Sequence, residues 1–225
     1  MMYRVEDKYV CRKEDMLLLQ MRINSILHLD SNRTGKEGYT ITSLYFDDVF
    51  DSCLRDNEDG AAQRWKYRIR IYNHSFQNIK LEIKIKKYNR ILKRSRSITI
   101  AQMKRLICGE CIEDDLPAMD NPITLFNLAI REKGLRPVVI VEYDREAYVY
   151  EGGNVRITFD RNVRMSNWIE RFGDTDLYME PIKGEEHVLE VKYDEFLPDF
   201  IAQLLELGNM NQCAFSKYRS CRSLE

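Results

Sequence analysis

The chain has 225 residues, 44% hydrophobic and 32% charged, which is typical of a globular protein rather than a disordered or fibrous one. Lys and Arg number 35 and Asp and Glu 36, so the net charge is near zero and bulk nucleic-acid binding is not indicated. The sequence has no signal peptide and no apolar run of the roughly 18 residues that a membrane span needs. We therefore expect a soluble, cytoplasmic protein without direct membrane insertion.

Hydrophobic periodicity predicts eight or nine mostly hairpin-connected strands and several helices. The predicted strands are 3–11, 39–48, 66–72, 80–88, 91–99, 136–150, 154–160, 174–181 and 187–193. The predicted helices are 12–29, 101–109, 123–134 and 197–208, the last ending at Gly208. No Pro-, Gly- or Ser-rich linker divides the chain and no repeat is present, so we expect a single domain over residues 1–225.

The cysteines and phosphate-loop patterns exclude several common sites. Six cysteines are scattered along a chain without a secretory signal, so disulfides are not expected. Cys108-Gly-Glu-Cys111 has zinc or redox spacing, but no second pair accompanies it, and a packing role is the simpler interpretation. The G-x-x-x-x-G-K-[ST] pattern of a phosphate-binding loop is absent from the sequence.

The strand KYRIRIY, residues 66–72, places Lys66, Arg68 and Arg70 on one face and apolar side chains on the other. The strands at 3–11, 80–88, 91–99, 154–160 and 187–193 have a similar charged face. One interpretation is a sheet with a solvated outer face. The other is that helices cover the apolar faces, so that the charged faces line a closed or nearly closed antiparallel barrel. Crowded cations would then bind a polyanion such as a phosphate chain, and the interspersed Glu residues a divalent cation.

Several short motifs in order along the chain resemble the VTC (vacuolar transporter chaperone) domains of the triphosphate tunnel metalloenzymes. They are R-x-E-x-K-Y at residues 4–9, Y-F-D at 45–47, K-x-R-x-R-x-Y at 66–72, E-x-K at 82–84, Y-x-R at 143–145, Arg156, E-x-K-Y at 190–193 and S-K-Y at 216–218. The resemblance implies an α+β fold, an antiparallel β-tunnel of about eight strands with helices packed outside. It also implies phosphoryl transfer from the γ-phosphate of ATP to polyphosphate, with Mn²⁺ or Mg²⁺.

The resemblance carries functional roles onto individual residues. It implies catalytic roles for Arg68, Arg70, Lys84 and Lys86. It implies phosphate contacts from Lys8, Lys93, Tyr143, Arg145, Arg156, Lys192, Ser216 and Lys217. In the strand 91–99 the register is open, and Arg94 and Arg96 are alternatives to Lys93. The implied metal ligand is Glu190, with Glu6 and Glu82 as helpers.

Two departures from the family pattern bear on the activity. The hydrolytic tunnel enzymes usually begin with E-x-E-x-K, but Arg4 stands at the first Glu position, as in the VTC branch. The eukaryotic polymerases tend to carry a His where this chain has Lys86. A triphosphate hydrolase and a non-catalytic polyphosphate-binding protein therefore stay as alternatives, and an interaction with a membrane protein is left open.

Overall fold

The computed structural model describes residues 5–30, 38–88, 90–115, 118, 120–182, 187–205 and 210–222. Its strands are β1 Val5–Cys11, β2 His28–Leu29, β3 Tyr39–Asp47, β4 Gln63–Tyr72, β5 Ser75–Lys87, β6 Arg90–Ile98, β7 Arg136–Tyr150, β8 Val155–Ser166, β9 Glu180–Pro181 and β10 His187–Tyr193. Its helices are α1 Lys13–Asn24, α2 Ser52–Glu58, α3 Ile100–Ile107, α4 Pro122–Lys133, α5 Asp199–Leu204 and α6 Lys217–Arg222. None of the helices in the described residues is long and apolar enough to cross a membrane.

The chain divides into two compact units. The first contains Met1–Thr40, Tyr143–Val163 and Pro181–Lys217, and the second contains Ile41–Glu142, Arg164–Glu180 and Tyr218–Glu225. The prediction of one domain over residues 1–225 stays a prediction.

In the first unit, β1, β10, β8 and the C-terminal part of β7 lie side by side as an antiparallel sheet. The strands alternate, so Ile157 and Leu189 share the apolar face. Helix α1 carries Met16, Leu19 and Ile23 at helical spacing, and these fully buried side chains pack in one core with that face. The charged residues of β1, β8 and β10 lie on the opposite face of the same strands.

In the second unit, the N-terminal part of β7 is followed across the antiparallel sheet by β3, β4, β5 and β6. Helix α4 begins at Pro122 after an Asn121 cap and ends at Lys133, and the C-cap residue Gly134 adopts φ 64°. Its Phe126 ring packs edge-on against Phe46 and Tyr67, on the apolar face of the sheet. As in the first unit, a helix covers the apolar face and leaves the charged face on the other side.

Several element predictions differ from the structure. Helix α1 ends at Asn24, and His28–Leu29 pair with β7 instead of extending the helix. Most of the segment 174–181 is irregular because Asp174 accepts hydrogen bonds from the Arg171 side chain and the Asp176 N–H, which close local turns. Helices α2 and α6 have no strong signal in the sequence. Arg4 and Gly208, which the sequence assigns to the first strand and the end of the last helix, lie outside the described residues.

Candidate functional site

The charged face of the second unit is set by the register of β4, β5 and β6. Arg68 pairs with Glu82, and Lys66 pairs with Lys84, which pairs in turn with Lys93. Because neighbours in register point to the same face, all of these side chains lie on one side of the sheet. Lys86 lies two residues beyond Lys84 and shares this face.

Glu82 is the centre of this cationic cluster and is only 2% exposed. Its Oε2 lies 2.7 Å from Arg68 Nε and 2.6 Å from Arg68 Nη2, and 3.7 Å from Arg70 Nη1. Its Oε1 forms an ion pair with Lys93. Burial favours the neutral acid, but Arg68, Arg70 and Lys93 outweigh it and hold the pKa of Glu82 well below its ordinary value. An ionised Glu82 thus fixes three cations in place, and the prediction that it helps to bind a metal stays a prediction.

Lys93 differs from the arginines beside it. Partial burial, with Arg68 and Arg70 nearby, lowers the pKa of the Lys93 ammonium to about 8, although Glu82 opposes this shift. Its side chain is 48% exposed, so it is the most accessible cation around Glu82 among those for which a contact with this carboxylate is described. An anion that approached Lys93 would reinforce its charge.

The strand register also distinguishes Lys93 from Arg94 and Arg96, the two alternatives for the phosphate contact on this strand. Arg94 pairs with Ile83 and Arg96 pairs with Leu81, so both point to the apolar side of the sheet. Arg94 Nη1 forms a 2.7 Å ion pair with Asp120 there. The structure therefore places Lys93 next to Glu82, whereas Arg94 and Arg96 lie on the opposite face of the sheet. The physical reason is the two-residue period of the strand, which a sequence run of Lys-Arg-Ser-Arg leaves ambiguous.

Two polar residues that the sequence analysis did not assign to the site support the arginines. Arg68 Nη1 donates a 3.1 Å hydrogen bond to Tyr45 Oη, and Arg70 Nε contacts Ser43 Oγ at 3.4 Å. The Tyr45 ring stacks on Tyr218, with 5.0 Å between centroids. Tyr45 belongs to the Y-F-D motif of residues 45–47, which was the available signal.

Asp47, the last residue of that motif, is fully buried and organises its surroundings. Its carboxylate accepts hydrogen bonds from the backbone N–H groups of Cys53 and Leu54, at 2.9 and 3.0 Å, in the first turn of α2. It also accepts a 2.5 Å hydrogen bond from Tyr218 Oη. Burial and the Asp47 charge raise the pKa of Tyr218, which keeps this hydroxyl a donor.

The charged face of the first unit contains a second cluster, in which Asp160 is 0% exposed. Arg145 binds this carboxylate in a bidentate fork, with Nε–Oδ1 at 2.6 Å and Nη2–Oδ2 at 2.7 Å. Lys217 Nζ lies 2.6 Å from Oδ2. Burial raises the pKa of Asp160, but Arg145 and Lys217 outweigh it and lower the value to about 2. The sequence motifs predict both cations as site residues but do not include the aspartate that holds them.

Glu190 and Glu6 surround Lys192 in the same unit. Lys192 Nζ lies 2.7 Å from Glu190 Oε1 and 3.5 Å from Glu6 Oε2. Lys8 Nζ lies 3.2 Å from Glu6 Oε1 and donates to the Phe215 carbonyl at 3.2 Å. Burial opposes the charge of Glu190, yet Lys192, Lys8 and Arg145 hold its pKa well below the ordinary value. Burial likewise opposes the charge of Lys8, but Glu190 and Glu6 raise its pKa.

The remaining predicted residues of the first unit lie around these carboxylates. The Tyr143 ring has Lys217 Nζ 4.7 Å and Arg145 Cζ 5.3 Å from its centroid, within cation–π range. Arg156 pairs in register with Lys192 and forms a 2.5 Å ion pair with Asp30 and a 3.1 Å hydrogen bond to Tyr39 Oη. Ser216 is buried next to Lys217 in the chain.

A divalent metal, which the family implies, fits the first unit better than the second. No group of three His, Cys, Asp or Glu side chains able to hold a metal is present in the part of the chain that the structure describes. Glu190 and Glu6 nevertheless provide two carboxylates next to Lys8 and Lys192, which are predicted phosphate contacts. Mg²⁺ is commonly held by one or two carboxylates plus substrate phosphates. Glu82 lies among Arg68, Arg70 and Lys93 and does not offer this arrangement.

Three solved structures with a similar fold are distant from this chain in sequence. HpAC1 from Hippeastrum, a candidate adenylyl cyclase with a dominant triphosphatase activity, matches with a TM-score of 0.59 and 14% identity over 100% of this chain and 97% of its own. A candidate adenylate cyclase from Vibrio parahaemolyticus matches with 0.56 and 12% identity over 97% of both chains. One from Bacillus halodurans matches with 0.55 and 14% identity over 95% and 93%.

These matches show that the chain shares the fold of these proteins, and they confirm the expected α+β antiparallel fold. The VTC domain model matches residues 3–224, and the chain belongs to the VTC domain family. No curated protein matches its sequence.

Proposed function

We propose that this chain is a polyphosphate polymerase-type phosphotransferase that moves the γ-phosphate of ATP onto a polyphosphate chain. The observation that carries the proposal is the cluster around Glu82, where one buried carboxylate holds Arg68, Arg70 and Lys93 together. Phosphoryl transfer needs little covalent chemistry from a protein and depends on positioning and on charge stabilisation. Side chains held in advance by Glu82 provide both without reorganisation at the moment of reaction.

The two clusters have different roles in this proposal. In the second unit, Arg68, Arg70 and Lys84 hold the transferring phosphoryl group, with Arg68 and Arg70 suited to bidentate contacts with phosphate oxygens. In the first unit, Lys8, Arg145, Arg156, Lys192, Ser216, Lys217 and Tyr143 contact other phosphates. Glu190, with Glu6, would hold a Mn²⁺ or Mg²⁺ ion, which supplies charge neutralisation to the phosphate oxygens it binds.

Hydrolysis of triphosphate is the second candidate, and two observations favour it. Lys86 stands where the eukaryotic polymerases tend to carry a His, so proton transfer during chain growth has a different group at this position. HpAC1, which is similar in fold, has a dominant triphosphatase activity. Hydrolysis, in which water accepts the phosphoryl group, would need the same protein contacts to the donor triphosphate as transfer to polyphosphate. A non-catalytic polyphosphate-binding protein is the remaining outcome.

The test is incubation of the purified protein with ATP and Mn²⁺, with products resolved by gel and by phosphorus NMR. An internal-phosphate signal that grows with time supports the polymerase. Free phosphate alone supports the hydrolase, and saturable binding of polyphosphate without turnover supports a binding protein. The variant R68A should abolish turnover while the protein still folds, with a lower melting temperature because the buried Glu82 loses one of its cations. R105A, at an exposed arginine that pairs with Glu110, should keep the activity.

A further inference from the structure

Thr158 lies on the charged face of the first unit and has no role in the predictions above. It pairs in register with Glu190 on β10. Arg156 and Asp160, two residues before and after it on β8, point to the same face. Its hydroxyl therefore lies between side chains that are proposed to bind phosphate or a metal, or that hold such side chains in place.

The Thr158 hydroxyl is buried and unsatisfied. The residue is 2% exposed, and Oγ1 has no hydrogen-bond partner among the described residues. A buried hydroxyl without a partner destabilises the folded state, so such groups are uncommon unless a ligand or another group completes them. Val would fill the same volume and suits a strand equally well, so packing alone does not account for a hydroxyl here.

Thr42 in the second unit shows the ordinary arrangement. It is also 2% exposed, but its Oγ1 donates a 2.5 Å hydrogen bond to Glu142 Oε2. It pairs with Ile71, the residue after Arg70 on β4. Because side chains alternate along a strand, Thr42 lies on the opposite face from Arg68 and Arg70. The two threonines match in type and burial and differ in whether the protein satisfies the hydroxyl.

We propose that the Thr158 hydroxyl is a ligand-binding group that donates a hydrogen bond to an oxygen of a bound triphosphate or polyphosphate. The cations closest to it in register, Arg156 and Lys192, favour an anion at this place, and both keep more than a quarter of the side chain exposed. These long side chains move toward an arriving phosphate and open the hydroxyl to it. The inference rests on the proposed function, because it requires phosphate binding by the charged face of the first unit.

The experiment compares wild type, T158V, T158S and T42V by calorimetric titration with inorganic triphosphate, with and without Mn²⁺, and by thermal unfolding without ligand. A hydrogen bond to a charged oxygen predicts that T158V weakens triphosphate binding about ten-fold or more. Its melting temperature should be equal to or above that of wild type, since an unsatisfied hydroxyl is removed. T158S should bind within about two-fold of wild type. T42V should show the converse, a lower melting temperature and unchanged affinity.

Two results would overturn this proposal alone, and a third would overturn the proposed function as well. If T158V binds triphosphate as wild type does, the hydroxyl does not contact the ligand. If T158V unfolds at a lower temperature, in the manner of T42V, the hydroxyl is satisfied within the protein. If wild type itself binds no triphosphate, the proposed function fails and this inference fails with it.

Discussion

Replacement of Asp160 by Asn tests whether the first cluster is held together by charge. The side chain is 0% exposed and bonds Arg145 twice and Lys217 once, all within 2.7 Å. Asn keeps the shape but leaves two cations near a neutral amide. Removing one member of a buried ion pair typically costs about 3–5 kcal/mol, so D160N should lower the free energy of unfolding by that amount at pH 7.

The pH dependence of this loss follows from the direction of the Asp160 pKa. The folded-state pKa is lowered from 3.8 to about 2, so Asp160 stabilises the fold above about pH 4 and this contribution disappears as the pH falls toward about 2. A shift of this size corresponds to about 2 kcal/mol. The difference in unfolding free energy between wild type and D160N should therefore be constant above about pH 4 and shrink by about 2 kcal/mol below it.

Urea unfolding at a series of pH values measures both quantities. The control is D144N, because Asp144 lies on β7, another strand of the first unit, and accepts hydrogen bonds from the neutral side chains of Thr40 and Asn162. D144N should cost about 1 kcal/mol. A loss below about 1 kcal/mol in D160N, or a loss that does not change between about pH 5 and pH 2, would refute the claim that Asp160 fixes Arg145 and Lys217 by its charge.

Three further outcomes test other parts of the site. Because Lys93 loses its charge as the pH rises through about 8, wild-type affinity for inorganic triphosphate should fall between about pH 7 and pH 9 relative to K93R, and parallel pH profiles would contradict this. E82Q should weaken triphosphate binding without changing the Mn²⁺ concentration for half-maximal turnover, whereas E190Q should raise that concentration; a similar metal response in both would contradict the assignment of the metal to the first unit. Y218F should lower the free energy of unfolding by about 1–2 kcal/mol in urea titrations, because Asp47 loses its 2.5 Å donor, and an unchanged midpoint would count against that role.

The sequence predicted strand boundaries and strand faces best where apolar and polar residues alternate without interruption. The boundaries of β7 and β10 match the predicted ones, and the predicted cations of β4 and β5 lie together on one face, because a period of two leaves only one way to bury the apolar side. The prediction was weakest where a non-local partner decides the structure. Helix α2 begins on the carboxylate of Asp47, five residues before its first residue Ser52, and no local capping pattern reveals this.

Asp160 and Thr158 illustrate a second limit of sequence reasoning. Both lie on the charged face of 154–160, but a pattern of alternation cannot distinguish a carboxylate with both oxygens occupied from one that has room for a ligand. That distinction depends on distances between strands far apart in sequence, such as the 2.6 Å contact between Lys217 and Asp160. The sequence resemblance alone implied Glu190 as the metal ligand with Glu6 and Glu82 as helpers, and it did not show which cations contact each of these carboxylates.

The balance of charge on the two faces gives the clusters different ligand preferences. On the β4–β6 face, the Glu82 carboxylate contacts Arg68, Arg70 and Lys93, and Lys66, Lys84 and Lys86 lie on the same face. Like charges in opposing register positions destabilise a sheet unless an anion is present, so this face favours bare phosphate oxygens. In the first unit, Glu6, Asp160 and Glu190 nearly balance Lys8, Arg145, Lys192 and Lys217. A nearly neutral face favours phosphate that arrives with a cation, so we expect Mn²⁺ to strengthen phosphate binding through the first unit's residues and to leave the contribution of Arg68 and Arg70 unchanged.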